Sequence, residues 1–245
     1  MKQKQVYISG ANGGIGSELC KAYYESNHFV IASDLQGECS HSYFSNYHSV
    51  DLDKFVSDET YRKVKFSEIS SESVSILINN AATQIVNDFE DFTIEEWTKT
   101  MNVNVSAGFV LIKSLYSQLC ANEGQVVNIA SIHSQLTKPN FFAYATSKSA
   151  LVGMTKSLAV EFKGKITVNA ISPAAVGTKM LKAGFDNKPE LLTELAELHP
   201  SQIIGKPEHI AEFVLQLTTH NNRYLNGSVI SIDGGISSAL LDLEP

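Results

Sequence analysis

The amino-acid sequence predicts an α/β protein, a parallel sheet covered by helices on both faces. Three observations carry that expectation. Short apolar runs of strand length, at residues 6–8, 29–32, 74–78, 126–129, 166–171 and 228–232, alternate along the chain with stretches of helical spacing. The first run leads through a glycine-rich turn straight into a helical pattern. No internal repeat or low-complexity linker divides the 245 residues, and a hydrophobic share of 43% suffices for one large domain with a full core, residues 1–245.

A net charge of -7 offers no broad basic footprint for nucleic acid or an anionic membrane, so small molecules and other protein subunits are the expected partners. Cys20, Cys39 and Cys120 are odd in number and widely spaced, which suggests neither a disulfide framework nor a metal site and fits a reducing, cytoplasmic setting. The first residues show no charged leader ahead of a long apolar segment, since residues 5–9 read as a strand, and no run approaches the ~18 apolar residues of a membrane span.

The turn after the first strand reads Ser9-Gly10-Ala11-Asn12-Gly13-Gly14-Ile15-Gly16, and Leu19, Ala22 and Tyr23 follow at helical spacing. Glycines let a backbone approach a ligand closely, and a helix start offers free amides and a positive dipole end to a pyrophosphate, although a plain turn also uses glycine. The second strand ends near Asp34, 18 positions after Gly16, where a dinucleotide site places an acidic residue on the ribose hydroxyls. A carboxylate there repels a 2′-phosphate, and neither 10–16 nor 30–45 holds a lysine or arginine, so NAD is preferred over NADP. The alternative for Asp34 is a turn residue capping a loop.

Residues 36–47 are polar and aperiodic and read as a loop, followed by a third strand at 48–50. Asp51-Leu52-Asp53 then opens a helix running to about Ser70, with Asp53 as its cap, while Asp51 is a candidate for an adenine amino group. The strand at 74–78 ends in Asn79-Asn80-Ala81-Ala82, which suits either backbone passing close to a flat ligand or a tight turn. From Ile94, the residues Trp97, Met101, Val105, Phe109, Ile112 and Tyr116 mark one face of a long amphipathic helix. Asn104 interrupts its apolar side, and that amide serves either structural bonding or a proton path. The next helix, about 143–162, carries Tyr144, Lys148, Leu151, Thr155, Leu158 and Phe162 on one stripe, and Ala143, Ser147, Ala150 and Met154 on a side that permits close helix approach. After the strand at 166–171, an excursion at about 175–206 with a helical segment at 189–198 reads as a lid, and Pro207 and Glu208 start a helix to about Thr218.

The chemistry concentrates in residues 128–148, which run Asn128-Ile129-Ala130-Ser131 and, after a loop, Tyr144-Ala145-Thr146-Ser147-Lys148. Tyrosine and lysine four apart share a helix face, so an ammonium sits beside a phenol and draws its pKa down from near ~10 towards working pH. Ser131, at the carboxyl end of a buried strand, lies where open α/β sheets place ligands and has a hydroxyl to hold a substrate oxygen. By itself the Tyr144–Lys148 spacing equally describes an ordinary helix surface.

Taken together, these residues resemble the short-chain dehydrogenase/reductase family over residues 6–235. The family's T-G-x-x-x-G-x-G turn is present with Ser9 for threonine, then Gly10, Gly14 and Gly16; N-N-A-G appears as Asn79-Asn80-Ala81-Ala82. Asn104 matches the active-site asparagine, Ser131 the serine 13 positions before Tyr144, and Tyr144 and Lys148 the Y-x-x-x-K pair. The resemblance implies a single-domain Rossmann fold, doubly wound with about seven strands, assembled as a homotetramer or homodimer through the two long helices. It implies an oxidoreductase moving a hydride between NAD(H) and a secondary alcohol or ketone. Tyr144 is then the acid/base, Lys148 holds the nicotinamide ribose and lowers the tyrosine pKa, Ser131 orients the carbonyl, and Asn104 fixes a water in a proton relay. Asp34 fits NAD, Asp51 and Leu52 contact adenine, and Ile171, Pro173 and Thr178 match the segment at the nicotinamide end. Asn12, Ile15, Leu35, Asn80, Ala81 and Val176 complete the expected cofactor-binding set.

Ala82 and Ala174 depart from the family's glycines, and a positive φ at either would strain the backbone by roughly 1 kcal/mol or more. The second family helix is shortened to the 36–47 loop. Ile132, His133, Leu136, Phe141, Val176 and residues 180–198 are expected to wall a largely apolar substrate pocket. Rival readings are a 3-oxoacyl-[acyl-carrier-protein] reductase, disfavoured by Asp34 and the acidic balance, and a non-catalytic NAD-binding regulator, which has no need of the phenol and amine. Length and glycine spacing disfavour an extended-family sugar-nucleotide epimerase.

Overall fold

The computed structural model of the chain describes residues 3–69, 73–183, 185, 188–220 and 222–240. Among them, seven strands form one parallel sheet: β1 (Gln5–Ser9), β2 (Phe29–Asp34), β3 (Asn46–Ser49), β4 (Val74–Asn79), β5 (Gln125–Ile129), β6 (Thr167–Pro173) and β7 (Val229–Ile232). Their spatial order is β3-β2-β1-β4-β5-β6-β7, so winding reverses between β1 and β4 and a crevice opens outside their carboxyl ends.

Both faces of the sheet are buried, which is why its strands read as apolar runs. Along β1, Tyr7 enters the core on one side while Val6 and Ile8 enter the core on the other. Helices α1 (Gly14–Glu25) and α9 (Pro207–Thr219) close the Val6 side through Leu19, Tyr23, Ile210 and Val214. On the Tyr7 side lie α2 (Leu52–Ser57), α3 (Glu59–Ile69), α4 (Ile94–Met101), α5 (Ala107–Ala121) and α6 (Phe142–Glu161), with Phe55, Ile69, Leu111, Leu115 and Phe162 in that core. Each such large apolar side chain taken from water contributes roughly 1.5–3 kcal/mol. Two short helices, α7 (Lys179–Ala183) and α8 (Pro189–Glu197), make up the excursion after β6. No helix among the described residues is long and apolar enough to cross a membrane.

The structure corrects four expectations. The helix expected from Asp53 to Ser70 is two helices, because Asp58 adopts extended backbone after α2 and its carboxylate accepts from Tyr61 N at 3.0 Å at the start of α3; Ser70 itself lies outside the described residues. Its cap is Asp51 rather than Asp53. The long helix from Ile94 is interrupted by a π-turn, Asn102–Ser106, which puts an extra residue into the turn and rotates the apolar face. Thr100, Asn104, Ala107, Leu111 and Leu115 are therefore buried, while Trp97 and Phe109 are 36% and 46% exposed. The third strand also begins at Asn46, before the expected 48–50.

Residues 36–45 carry no helix, as expected. Ala82 and Ala174 are not strained, since among the described residues the non-glycine positions with positive φ are Asn27, Glu123, Asn140, Lys163 and Gln202.

Candidate active site

The crevice at the reversal point is a cavity of about 1140 Å3. Gly10 takes φ 68°, and a Cβ there would lie 2.8 Å from Ala81 Cα, while a Cβ on Gly16 would collide with the Gly10 carbonyl. Space saved by these two glycines lets Asn80 Nδ2 donate to Ser9 O at 2.9 Å and to Gly10 O at 3.1 Å. Ser9 Oγ accepts from the amides of Asn80 and Ala81, both at 3.1 Å, so the serine that replaces the family threonine pins β4's end to the turn. No side chain caps α1 at Gly13, so its first amides, including those of the cavity-lining Gly14, Ile15 and Gly16, have no side-chain cap competing with an anion.

Asp34 borders the cavity at the end of β2, where its carboxylate accepts from Asn12 N at 2.9 Å. The Asn12 side chain is spent elsewhere: Nδ2 donates to Gln36 Oε1 at 2.9 Å and Glu38 O at 3.0 Å, and Oδ1 accepts from Ser40 N at 2.7 Å. It ties down the loop that stands in place of a helix. Leu35, Asp51 and Leu52 also line this end, but Asp51 Oδ1 is engaged by the amides of Asp53 and Lys54 at 3.1 and 3.2 Å as the α2 cap. Asp53 instead accepts from Asn102 Nδ2 at 2.7 Å, joining α2 to the π-turn.

At the other end Ser131, Tyr144 and Lys148 line the same cavity, all three buried. The register of α6 against the sheet is set by a buried polar ladder: Asn79 Nδ2 donates to Asn128 Oδ1 at 2.8 Å, and Asn128 Nδ2 to Thr155 Oγ1 at 2.8 Å. Burial pushes the Tyr144 phenol up to about 12, and a hydrogen bond with the Ser131 hydroxyl draws it part of the way back. Burial pushes the Lys148 ammonium down to about 8. Its Nζ donates to Ile129 O at 2.8 Å and lies 5.5 Å from the centre of the Tyr144 ring. The expectation that the amine acidifies the phenol is therefore not met by the protein alone. Desolvation disfavours the charged form of both groups.

Asn104 does not line the cavity. Its Nδ2 donates to Thr83 O and Ser147 Oγ, both at 2.9 Å, and its Oδ1 accepts from Thr83 N at 2.8 Å. With both N–H groups used, the side chain anchors the segment after Ala82 to α6. Pro173, Val176 and Thr178 border the cavity as expected, as do Ile132, His133, Leu136 and Phe141. His133 stacks on Phe141 with ring centres 4.8 Å apart and meets Tyr144 edge-on at 5.7 Å. Burial, reinforced by Lys138, holds its imidazole below the ordinary value.

A family model described as enoyl-(acyl carrier protein) reductase matches residues 10–237. An uncharacterized oxidoreductase of Thermotoga maritima is 31% identical over 250 residues, covering 95% of this chain and 96% of its own. The chain belongs to the short-chain dehydrogenase/reductase family. Among solved structures of similar fold, a 4-hydroxyisoleucine dehydrogenase complexed with NADH has a TM-score of 0.87 and 30% identity, covering 97% of this chain and 100% of that one. ElxO with NADP bound has a TM-score of 0.85 and 25% identity over 97% and 100% of the two chains. This short-chain dehydrogenase/reductase is accordingly an NAD(P)-dependent oxidoreductase acting on alcohol or carbonyl groups.

Several lining residues of this short-chain dehydrogenase/reductase carried no signal in the sequence. Lys138, His199 and Ile236 reach the substrate end from three separate segments. No spacing links them, and only folding brings them together.

Proposed function

We propose that this enzyme uses NAD(H) to interconvert a secondary alcohol and a ketone, with Tyr144 as the acid/base. The observation that carries the reading is the convergence of the Ser131 hydroxyl, the Tyr144 phenol and the Lys148 amine on the cavity that also holds the glycine turn and Asp34. A dinucleotide suits these residues: the uncapped α1 amides accept a pyrophosphate, and the Asp34 carboxylate accepts from ribose hydroxyls while repelling a 2′-phosphate. When bound, NAD(H) supplies the hydride acceptor or donor. Ser131 Oγ donates to the substrate oxygen and holds it against Tyr144, whose Oη gives its proton to that oxygen in reduction and removes it in oxidation. Burial pushes the Tyr144 pKa up, so the phenol of the free enzyme carries the proton that reduction calls for. Lys148 binds the nicotinamide ribose, and Asn104 acts as a positioning residue that holds the backbone beside Ala82 and α6 in register. The whole chain works as one catalytic domain, and its three free thiols suit a reducing cytoplasm.

Tyr144→Phe removes the transferable proton and keeps the ring. Turnover of ketones with NADH should fall by about 10²–10⁴-fold with the circular dichroism spectrum unchanged. Near-normal turnover would remove Tyr144 from the chemistry. Fluorescence titration should give tighter binding of NADH than of NADPH; the reverse order would contradict the role given to Asp34.

A further inference from the structure

The lining of the cavity is divided by charge. Its aspartates, Asp34, Asp51 and Asp53, belong to the β2 and α2 end, and Lys99 sits one turn before Asn102, the partner of Asp53. Beyond Tyr144 the lining holds Lys138, Lys179, His133 and His199 and, among the described residues, no carboxylate.

Two of these groups stand out, Lys138 held between aromatic rings and His199 with an unpaired ring nitrogen. The Lys138 ammonium lies 4.5 Å from the centre of the Phe141 ring and 5.5 Å from that of Phe185, and no carboxylate of the described residues pairs with it. Two aromatic faces hold the cation at the cavity but leave its charge uncompensated. His199 is only 2% exposed. Its Nδ1 is 2.8 Å from Leu195 O, and since a carbonyl only accepts, Nδ1 carries the proton. Nε2 is buried and has no hydrogen-bond partner. An unpaired polar atom in such a place is destabilising unless an occupant of the cavity meets it. The remaining walls, Leu136, Leu181, Leu195 and Leu198, are aliphatic.

Resting on the ketone-reductase reading above, we propose that the substrate is an aliphatic oxo acid or hydroxy acid whose carboxylate is held by Lys138 and His199. With a proton on both ring nitrogens, His199 donates its second N–H to the anion while the first keeps Leu195. Phe141 lies 4.5 Å from the Lys138 ammonium and, ring centre to ring centre, 6.3 Å from Tyr144, so several carbon atoms separate the carboxylate from the carbon that is reduced.

The test compares 4-oxopentanoate and 5-oxohexanoate with their methyl esters as substrates with NADH. The acids should exceed the esters by about tenfold or more in kcat/KM, chiefly through KM. Lys138→Met should lower the acid-to-ester ratio by about tenfold, and Lys138→Arg should restore most of it. Since Lys138 is exposed, this variant tests the idea even if a change at buried His199 disturbs folding; a folded His199→Gln should likewise lower the ratio. Esters reduced as well as acids, a ratio untouched by Lys138→Met, or a stronger preference for a phosphate monoester or an acyl-carrier thioester would overturn the proposal. Should ketone reduction depend on Tyr144 without an acid preference, only this inference falls; should no oxo compound show Tyr144-dependent reduction, the ketone-reductase reading falls with it.

Discussion

Lys148 illustrates how a candidate site residue is held against its own chemistry. An amine 2% exposed and pushed down to about 8 from 10.5 carries its charge at neutral pH only at a cost on the order of 3 kcal/mol. The sign follows from proton counting. Between about 8 and 10.5 the unfolded chain keeps a proton here that the folded chain has released, so stability rises with pH across that window. Below the window both states are protonated and the penalty is fully present. Lys148→Met should therefore stabilise the fold at pH 7 by about 1–3 kcal/mol, less the lost bond to Ile129, and this advantage should shrink as pH passes through the window. Urea unfolding of both proteins at pH 7 and pH 10 measures it, and a difference independent of pH would show that the amine is not the source.

At the scale of elements, the site depends on how α6 is docked. Its first two turns carry Tyr144 and Lys148, and its middle is tied to the sheet by the Asn79–Asn128–Thr155 ladder. Asn128→Ala removes both bonds and strands the Asn79 amide in a dry core, a cost of about 2–4 kcal/mol. The urea midpoint should fall by that amount with an unchanged slope, and kcat should fall with it as Tyr144 loses its registration against Ser131. An unchanged midpoint would mean that apolar packing alone sets the position of α6. The π-turn plays the corresponding part for the helix pair α4 and α5, turning Asn104 inward to bond Thr83 and Ser147.

For the whole molecule, the outer faces of the long helices leave large apolar groups in water: Phe109 on α5 is 46% exposed and Val160 on α6 is 78% exposed. Such groups on the two longest helices fit burial against further copies of the chain. Sedimentation velocity should give a dimer or tetramer, and Phe109→Glu should shift the distribution towards smaller species; a monomer at micromolar concentration would show that these faces stay in water.

The strands, the glycine turn and the order of Ser131, Tyr144 and Lys148 were legible because each is encoded locally, in an apolar run between polar ends or in residues at fixed spacing. Asp34 was legible for the same reason, as the polar end of a buried strand. The break at Asp58 and the identity of the α2 cap were not, because they turn on which of several neighbouring aspartates takes the capping amides, and the π-turn was not, because it packs Asn102 against Asp53 far along the chain. The sequence by itself determined a parallel α/β sheet and the residue types that converge on its carboxyl end, since burial on both faces imposes one readable pattern. Only the tertiary structure decided that burial raises the Tyr144 pKa and lowers that of Lys148, that Asn104 spends its amide on structural bonds, and that His199 keeps one ring nitrogen unpaired beside the cavity. Desolvation and hydrogen-bond pairing are properties of what surrounds a side chain, and those surroundings exist only in the folded chain.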